Sequence, residues 1–151
     1  MSALDRIAVK VVPGVDLPTG NAKALMHELT GLLDAWVRKG EAACIDLRSL
    51  PLTRGDHAEL REALGKGAVS ARVEAIGSSE VLETQYPAVW WVTHYNDVGE
   101  VVADLIEVCA VPGIVPAPAE DAAAGLERLR EALEQRDATN DAAIQRRGTH
   151  A

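Results

Sequence analysis

The chain has no phenylalanine, only two tyrosines and only three tryptophans in 151 residues. Its interior must therefore be built from Ala, Val, Leu and Ile, and the few rings become informative. Cysteine is equally scarce. Cys44 and Cys109 lie far apart, each inside an apolar run, and neither belongs to a C-x-x-C pair. That spacing excludes a zinc ribbon or a dithiol motif. It predicts two buried free thiols acting as small core hydrophobes, in a reducing compartment. No stretch approaches the roughly 18 apolar residues that cross a bilayer, and Met1 to Lys10 lacks a signal-peptide core. The expected location is the cytoplasm, without membrane insertion. Basic runs are missing too. The chain has 15 Lys and Arg against 23 Asp and Glu, a net charge of -8. Such a field repels nucleic acid and anionic lipid, and the pair Arg146-Arg147 is too short to oppose it.

The motifs of chemistry are also absent. The four histidines, His27, His57, His94 and His150, show no H-x-x-x-H or H-E-x-x-H spacing. Gly65-Lys66-Gly67 lacks the preceding strand and following helix of a phosphate loop. Ser78-Ser79-Glu80 has no nucleophile-elbow context. No enzymatic activity, cofactor or metal is expected from these patterns.

What is present is periodicity. Ile7 to Val12 reads as a strand stopped by Pro13-Gly14. Asn21 is the expected N-cap of a helix whose Leu25, Leu29, Leu32, Leu33 and Trp36 share one face and which ends at Lys39-Gly40. Ala42 to Leu47 is too short for a helix and reads as a strand that joins the sheet in parallel. Thr53 and Asp56 form a capping box with Asp in place of Glu, opening a helix from Asp56 to Leu64. Then the period changes to two. Val69 to Ala75, Glu80 to Gln85, Val89 to Tyr95 and Val101 to Val108 read as four strands joined by turns at Gly77-Ser78, Pro87 and Asn96 to Gly99. Pro112, Pro116 and Pro118 break the chain before a last helix, Ala119 to Gln135, with a narrow stripe of Ala122, Leu126, Leu129 and Leu133. That stripe predicts either a helix–helix seam in a homodimer or a helix folded back over the sheet. The polar residues from Asp137 to Ala151 are expected to be disordered. The resulting fold class is α+β: two layers, a mainly antiparallel sheet of four to five strands, and helices on one face.

The densest segment is Tyr86 to Tyr95. Alternation sends Trp91, Thr93 and Tyr95 to one side and Trp90, Val92 and His94 to the other. Helices cover one face only, so one indole is expected in the core and the other either beneath the last helix or exposed to a protein partner. Tyr and Trp are common anchors of interfaces. The candidate partner-binding residues are Tyr86, Trp90, Trp91, His94, Tyr95 and Glu107, with Glu80, Glu83 and Asp104 as an acidic rim. A second reading makes His94, Cys109 and nearby carboxylates metal ligands. A third, a small enzyme, would need a cleft with converging titratable groups.

The chain holds Ile45-Asp46-Leu47-Arg48-Ser49-Leu50-Pro51-Leu52 followed by Asp56 and Leu60, then Leu64-Gly65-Lys66-Gly67, Glu83-Thr84, Tyr86-Pro87, Val89-Trp90-Trp91-Val92, His94-Tyr95-Asn96, and Leu105-Ile106-Glu107-Val108. Together these stretches resemble the HupH/HyaF C-terminal domain of nickel–iron hydrogenase expression/formation proteins. The resemblance runs from about Ala22 to Ala117, so that Met1 to Ala117 forms the domain, Pro118 to Arg136 a C-terminal helix and Asp137 to Ala151 a tail. It implies an accessory or chaperone protein that binds an immature hydrogenase subunit, the iron–sulfur small subunit before the large one. An alternative role is a metal- or cofactor-handling scaffold for the large subunit. Ala88 stands where many relatives are expected to carry glycine.

Overall fold

The computed structural model describes residues 16–149. The described residues form two units by contact, divided between Val115 and Pro116. The expected strand at Ile7 to Val12 lies outside the described residues.

In the first unit the order is α1 (Asn21–Lys39), β1 (Ala43–Asp46), α2 (Arg54–Leu64), β2 (Ser70–Ala75), β3 (Gly77–Glu83), β4 (Val89–Tyr95) and β5 (Val101–Val108), with a 3-10 turn at Leu47–Ser49 after β1. The five strands form one antiparallel sheet ordered β1-β5-β4-β3-β2. The α+β expectation holds. The parallel placement of the first strand does not: β1 runs against β5, with Ala43 opposite Val108 and Asp46 opposite Leu105. Gly40, at φ +69, caps α1, its amide donating to Trp36 O at 2.8 Å.

Local chemistry explains the element ends. Thr53 Oγ1 accepts from the Asp56 amide while Asp56 Oδ2 accepts from the Thr53 amide, so the capping box forms with Asp at its third position. Asn21 is not the N-cap of α1. Gly20, at φ +92, takes that place, and the Asn21 side-chain amide instead donates to Pro51 O at 3.0 Å. The connection between β2 and β3 is tighter than expected. Gly77 and Ser78 belong to β3, Ala75 pairs with Gly77, and Ile76 alone makes the turn. A β-carbon at Gly77 would strike the Tyr95 carbonyl oxygen, which is why glycine sits there.

Two apolar clusters flank the sheet. On one face Ile45, Val89, Trp91, Ile106 and Val108 pack with Ala22, Leu25 and Leu29 of α1 and Leu60 and Leu64 of α2. On the other, Val81, Trp90 and Val92 pack with Ala71, Leu105 and Cys109.

The second unit holds α3 (Ala119–Gly148), which runs well past the expected end at Gln135 and through the stretch expected to be disordered. The leucine stripe ends at Leu133, but the remaining turns are rich in Ala, Arg and Gln, which are strong helix formers. Glu120 and Asp121 in its first turn and Arg146 and Arg147 in its last complement the helix dipole. No residue of α3 is buried.

Candidate docking site

The paired indoles do not form an exposed patch. Trp90 is 5 % and Trp91 3 % exposed. Each face of the sheet has its own cluster, so alternation puts both rings into packed interior. Each N–H also has a partner. Trp90 Nε1 donates to Cys109 O at 3.0 Å, and Trp91 Nε1 donates to Asp104 Oδ1 at 2.6 Å. A buried indole with a satisfied donor is a core residue. The expectation that one indole offers itself to a partner is corrected on this point.

Asp104 departs furthest from its expected place. It does not lie on a solvated rim but is buried, and the same oxygen that holds Trp91 accepts from Thr93 Oγ1 at 2.9 Å. Its other oxygen lies 3.8 Å from His57 Nδ1 on α2. Arg61, one turn further along α2, lays its guanidinium 4.0 Å from the Trp91 ring centroid. A signal for this burial exists in the sequence, since Asp104 falls in phase with Ile106 and Val108 and hence on the helix-facing side. The group reads as an internal polar network that fixes the indole under α2.

The remaining candidates scatter. His94 and Tyr95 are half-buried on opposite faces. His94 Nδ1 lies 2.7 Å from Ser79 Oγ across the β3–β4 pair. Among the described residues no carboxylate orients the other ring nitrogen, so this Ser–His contact lacks the third member of a nucleophilic triad. The Tyr95 hydroxyl donates to Glu80 Oε2, and burial together with the Glu80 charge raises its pKa.

Glu107 pairs across strands with Cys44 and accepts from the Cys109 thiol at 3.8 Å. Cys44 is exposed and Cys109 half-buried, because β1 ends the sheet and turns Cys44 outward. This corrects the expectation of two buried thiols. Burial and the Glu107 charge push the Cys109 thiol up to about 11, and burial and Glu107 raise Cys44 as well. Neither is primed as a thiolate. His94, Cys44, Glu107 and Cys109 line one broad depression. Among the described residues no three His, Cys, Asp or Glu side chains converge closely enough to hold a metal ion.

Tyr86 is different. It is 40 % exposed and forms one wall of an apolar groove of about 190 Å³ with Met26, Leu29 and Leu33 of α1, Leu64 of α2 and Val89 of β4. The ring is carried on a tight turn in which the Val89 amide donates to Tyr86 O at 3.0 Å. Pro87 is second in that turn and Ala88 third, with Ala88 at φ +69, the pattern of a type II turn that normally requires glycine. Among the described residues Ala88 is the one non-glycine residue with positive φ. Thr84 Oγ1 accepts from the Tyr86 amide, and the Gln85 amide donates to Leu64 O, fixing the turn to the end of α2. Backbone strain of this kind persists only where the surroundings enforce it, and it gathers at functional positions. Of the six candidate residues, Tyr86 alone combines exposure, an apolar neighbourhood and an enforced conformation.

Comparison with known proteins agrees with this architecture. Residues 19–136 match the family described as HupH hydrogenase expression protein, C-terminal conserved region. The chain is 38% identical over 114 residues to the hydrogenase expression/formation protein HupH of Rhodobacter capsulatus, covering 76% of this chain and 41% of that protein. It is 33% identical over 126 residues to the hydrogenase expression/formation protein HoxQ of Azotobacter vinelandii, covering 79% and 44% respectively. The chain thus spans about two fifths of the length of these relatives. The solved structure of the hydrogenase expression protein HupH from Thiobacillus denitrificans matches with a TM-score of 0.75 at 41% identity, covering 78% of this chain and 98% of that one. The chain belongs to the family defined by the C-terminal conserved region of the HupH hydrogenase expression proteins.

Proposed function

We propose that this protein is a non-catalytic accessory factor in hydrogenase maturation that binds an immature hydrogenase subunit, the iron–sulfur small subunit in preference to the large one. The names of its relatives, hydrogenase expression/formation proteins, support the process. The observation that carries the binding role is the groove walled by exposed Tyr86 on its strained turn. A binding factor needs only differential affinity for the immature form of its client over the mature one. Met26 adds an adaptable, polarisable wall suited to a client whose surface is still settling. Trp91 contributes indirectly, packed in the same buried cluster as Leu29, Leu64 and Val89 of the groove.

Capture from cells assembling a hydrogenase tests this reading. The tagged chain should retain the small subunit while its cluster is incomplete and release it once maturation ends. Retention of the finished enzyme with equal strength would contradict a maturation role. Stoichiometric nickel or iron in the purified chain would favour the scaffold alternative.

A further inference from the structure

We infer that α3 is a dimerisation element: its apolar stripe packs on the same stripe of a second copy of this chain, the two helices running parallel and in register. The single chain leaves that stripe in water. No residue of α3 is buried, and Leu126, Leu129 and Leu133 are 46 %, 59 % and 53 % exposed. Helices draw most of their stability from packing an amphipathic face, and this one has none packed.

The spacing says which occupant fits. Written as heptads, Leu126 and Leu133 fall at a and Leu129 at d. The seam continues through Arg136 at d, Asn140 at a and Ala143 at d, and is preceded by Ala119 at a and Ala122 at d. Two leucines at a and one at d set the direction. Antiparallel helices place a layers against d layers, which leaves at least one leucine of each copy with no leucine opposite. Parallel helices in register place every leucine against its own counterpart, giving three consecutive apolar layers. The same register sets Asn140 against Asn140 of the second copy. An asparagine amide both donates and accepts, so it can satisfy its own twin, and a single Asn at a fixes the register of a parallel pair. Arg136 puts a charge into the seam, and Asp137 answers it. In a parallel pair a d side chain packs beside the e residue of the facing helix, and Asp137 stands at e. Among the described residues neither Arg136 nor Asp137 forms an ion pair within the chain. Each is therefore free to pair with the other across the two-fold axis, twice by symmetry.

Sedimentation equilibrium of the full chain, from micromolar to several hundred micromolar, tests the pairing and should show a reversible dimer. Leu129→Glu alters a side chain exposed in the single chain, so the fold survives it, as a thermal melt checks. That variant should weaken dimerisation about a hundredfold or more, because each dimer loses both leucines of its central layer. Direction is read by Asn140→Cys made together with Cys44→Ser, which removes the exposed native thiol. Under mild oxidation the double variant should form a covalent dimer, since the parallel register brings the two positions 140 together, and Cys44→Ser alone should not. A wild-type chain that is monomeric at every concentration overturns the inference; this is the result if the stripe belongs to another protein or to the chain's own sheet. A dimer undiminished by Leu129→Glu overturns it too, as does one that yields no covalent product through position 140. The client-binding role stands under each of these results.

Discussion

Replacing Ala88 by glycine should stabilise the protein, which is unusual for a change to glycine in a folded chain. Ala88 sits at φ +69 in the turn that carries Tyr86. A left-handed conformation costs an ordinary L-residue about 1–2 kcal/mol. Against that gain, glycine makes the unfolded chain more flexible by about 0.4–1 kcal/mol. The difference is a stabilisation of about 0.5–1 kcal/mol. For a unit near one hundred residues this is a rise of about 2–6 °C in Tm. The turn loses no contact, because the Val89 amide still donates to Tyr86 O and the Cys109 amide to Ala88 O. Chemical unfolding with parallel thermal melts measures the effect. A fall in stability beyond about 0.5 kcal/mol would show that the turn does not hold a left-handed residue, and the argument for enforced strain at Tyr86 would go with it.

Further outcomes concern the core and its locks. Trp90→Ala and Trp91→Ala should each cost about 3–5 kcal/mol in urea unfolding, as buried rings do, and native stability indistinguishable from wild type would contradict their placement in the interior. Asp104→Ala strands the Trp91 and Thr93 donors, so it should cost about 3 kcal/mol, while Asp104→Asn, which keeps an acceptor, should cost less than half of that. Gly55→Ala should destabilise by about 1–3 kcal/mol, because a β-carbon there collides with backbone of Asp16, Leu17 and Pro18 laid across the start of α2. Asp56 gives a pH signature. Burial alone would raise its pKa, but hydrogen bonds from Thr19 and Thr53 outweigh it and hold the carboxyl below its usual 3.8. A depressed folded pKa contributes stability above the unfolded value and loses it as pH falls through the folded one. Asp56→Asn should therefore be less stable than wild type at neutral pH, with the gap closing below about pH 4, and a gap that widened in acid would refute the assignment.

Much of the fold is legible in the sequence because short-range chemistry and long-range packing agree there. The alternation of Val89–Tyr95 and Val101–Val108 and the turn signals Asn96 and Gly99 mark β4 and β5 at their observed ends. Asn96 Oδ1 accepts from both Val98 and Glu100 amides, the local bonding expected of such a turn. Thr53 and Asp56 announce α2 for the same reason. Three features depend on information beyond their own neighbourhood. The direction of β1 is set by pairing with β5, more than fifty residues away. The length of α3 comes from helix propensity after the amphipathic stripe has ended. The burial of Trp90 depends on the second cluster, which Ala71 and Leu105 build from separate strands. Alternation tells which side a ring faces but not whether that side is covered. The docking site is legible only in part for the same reason. Tyr86 stands out as one of two tyrosines in the chain, whereas the groove it shares with Met26 and Leu33 exists only once α1 is laid over the sheet.

Site-specific crosslinking decides most directly whether the Tyr86 face meets a hydrogenase subunit. A photoreactive aromatic residue placed at position 86 is compared with the same residue at Ile76, which is fully exposed at the opposite end of β3. The account predicts an adduct with an immature hydrogenase subunit from position 86 and none from position 76. Adducts from position 76 alone would place the contact at the other end of the sheet and contradict it.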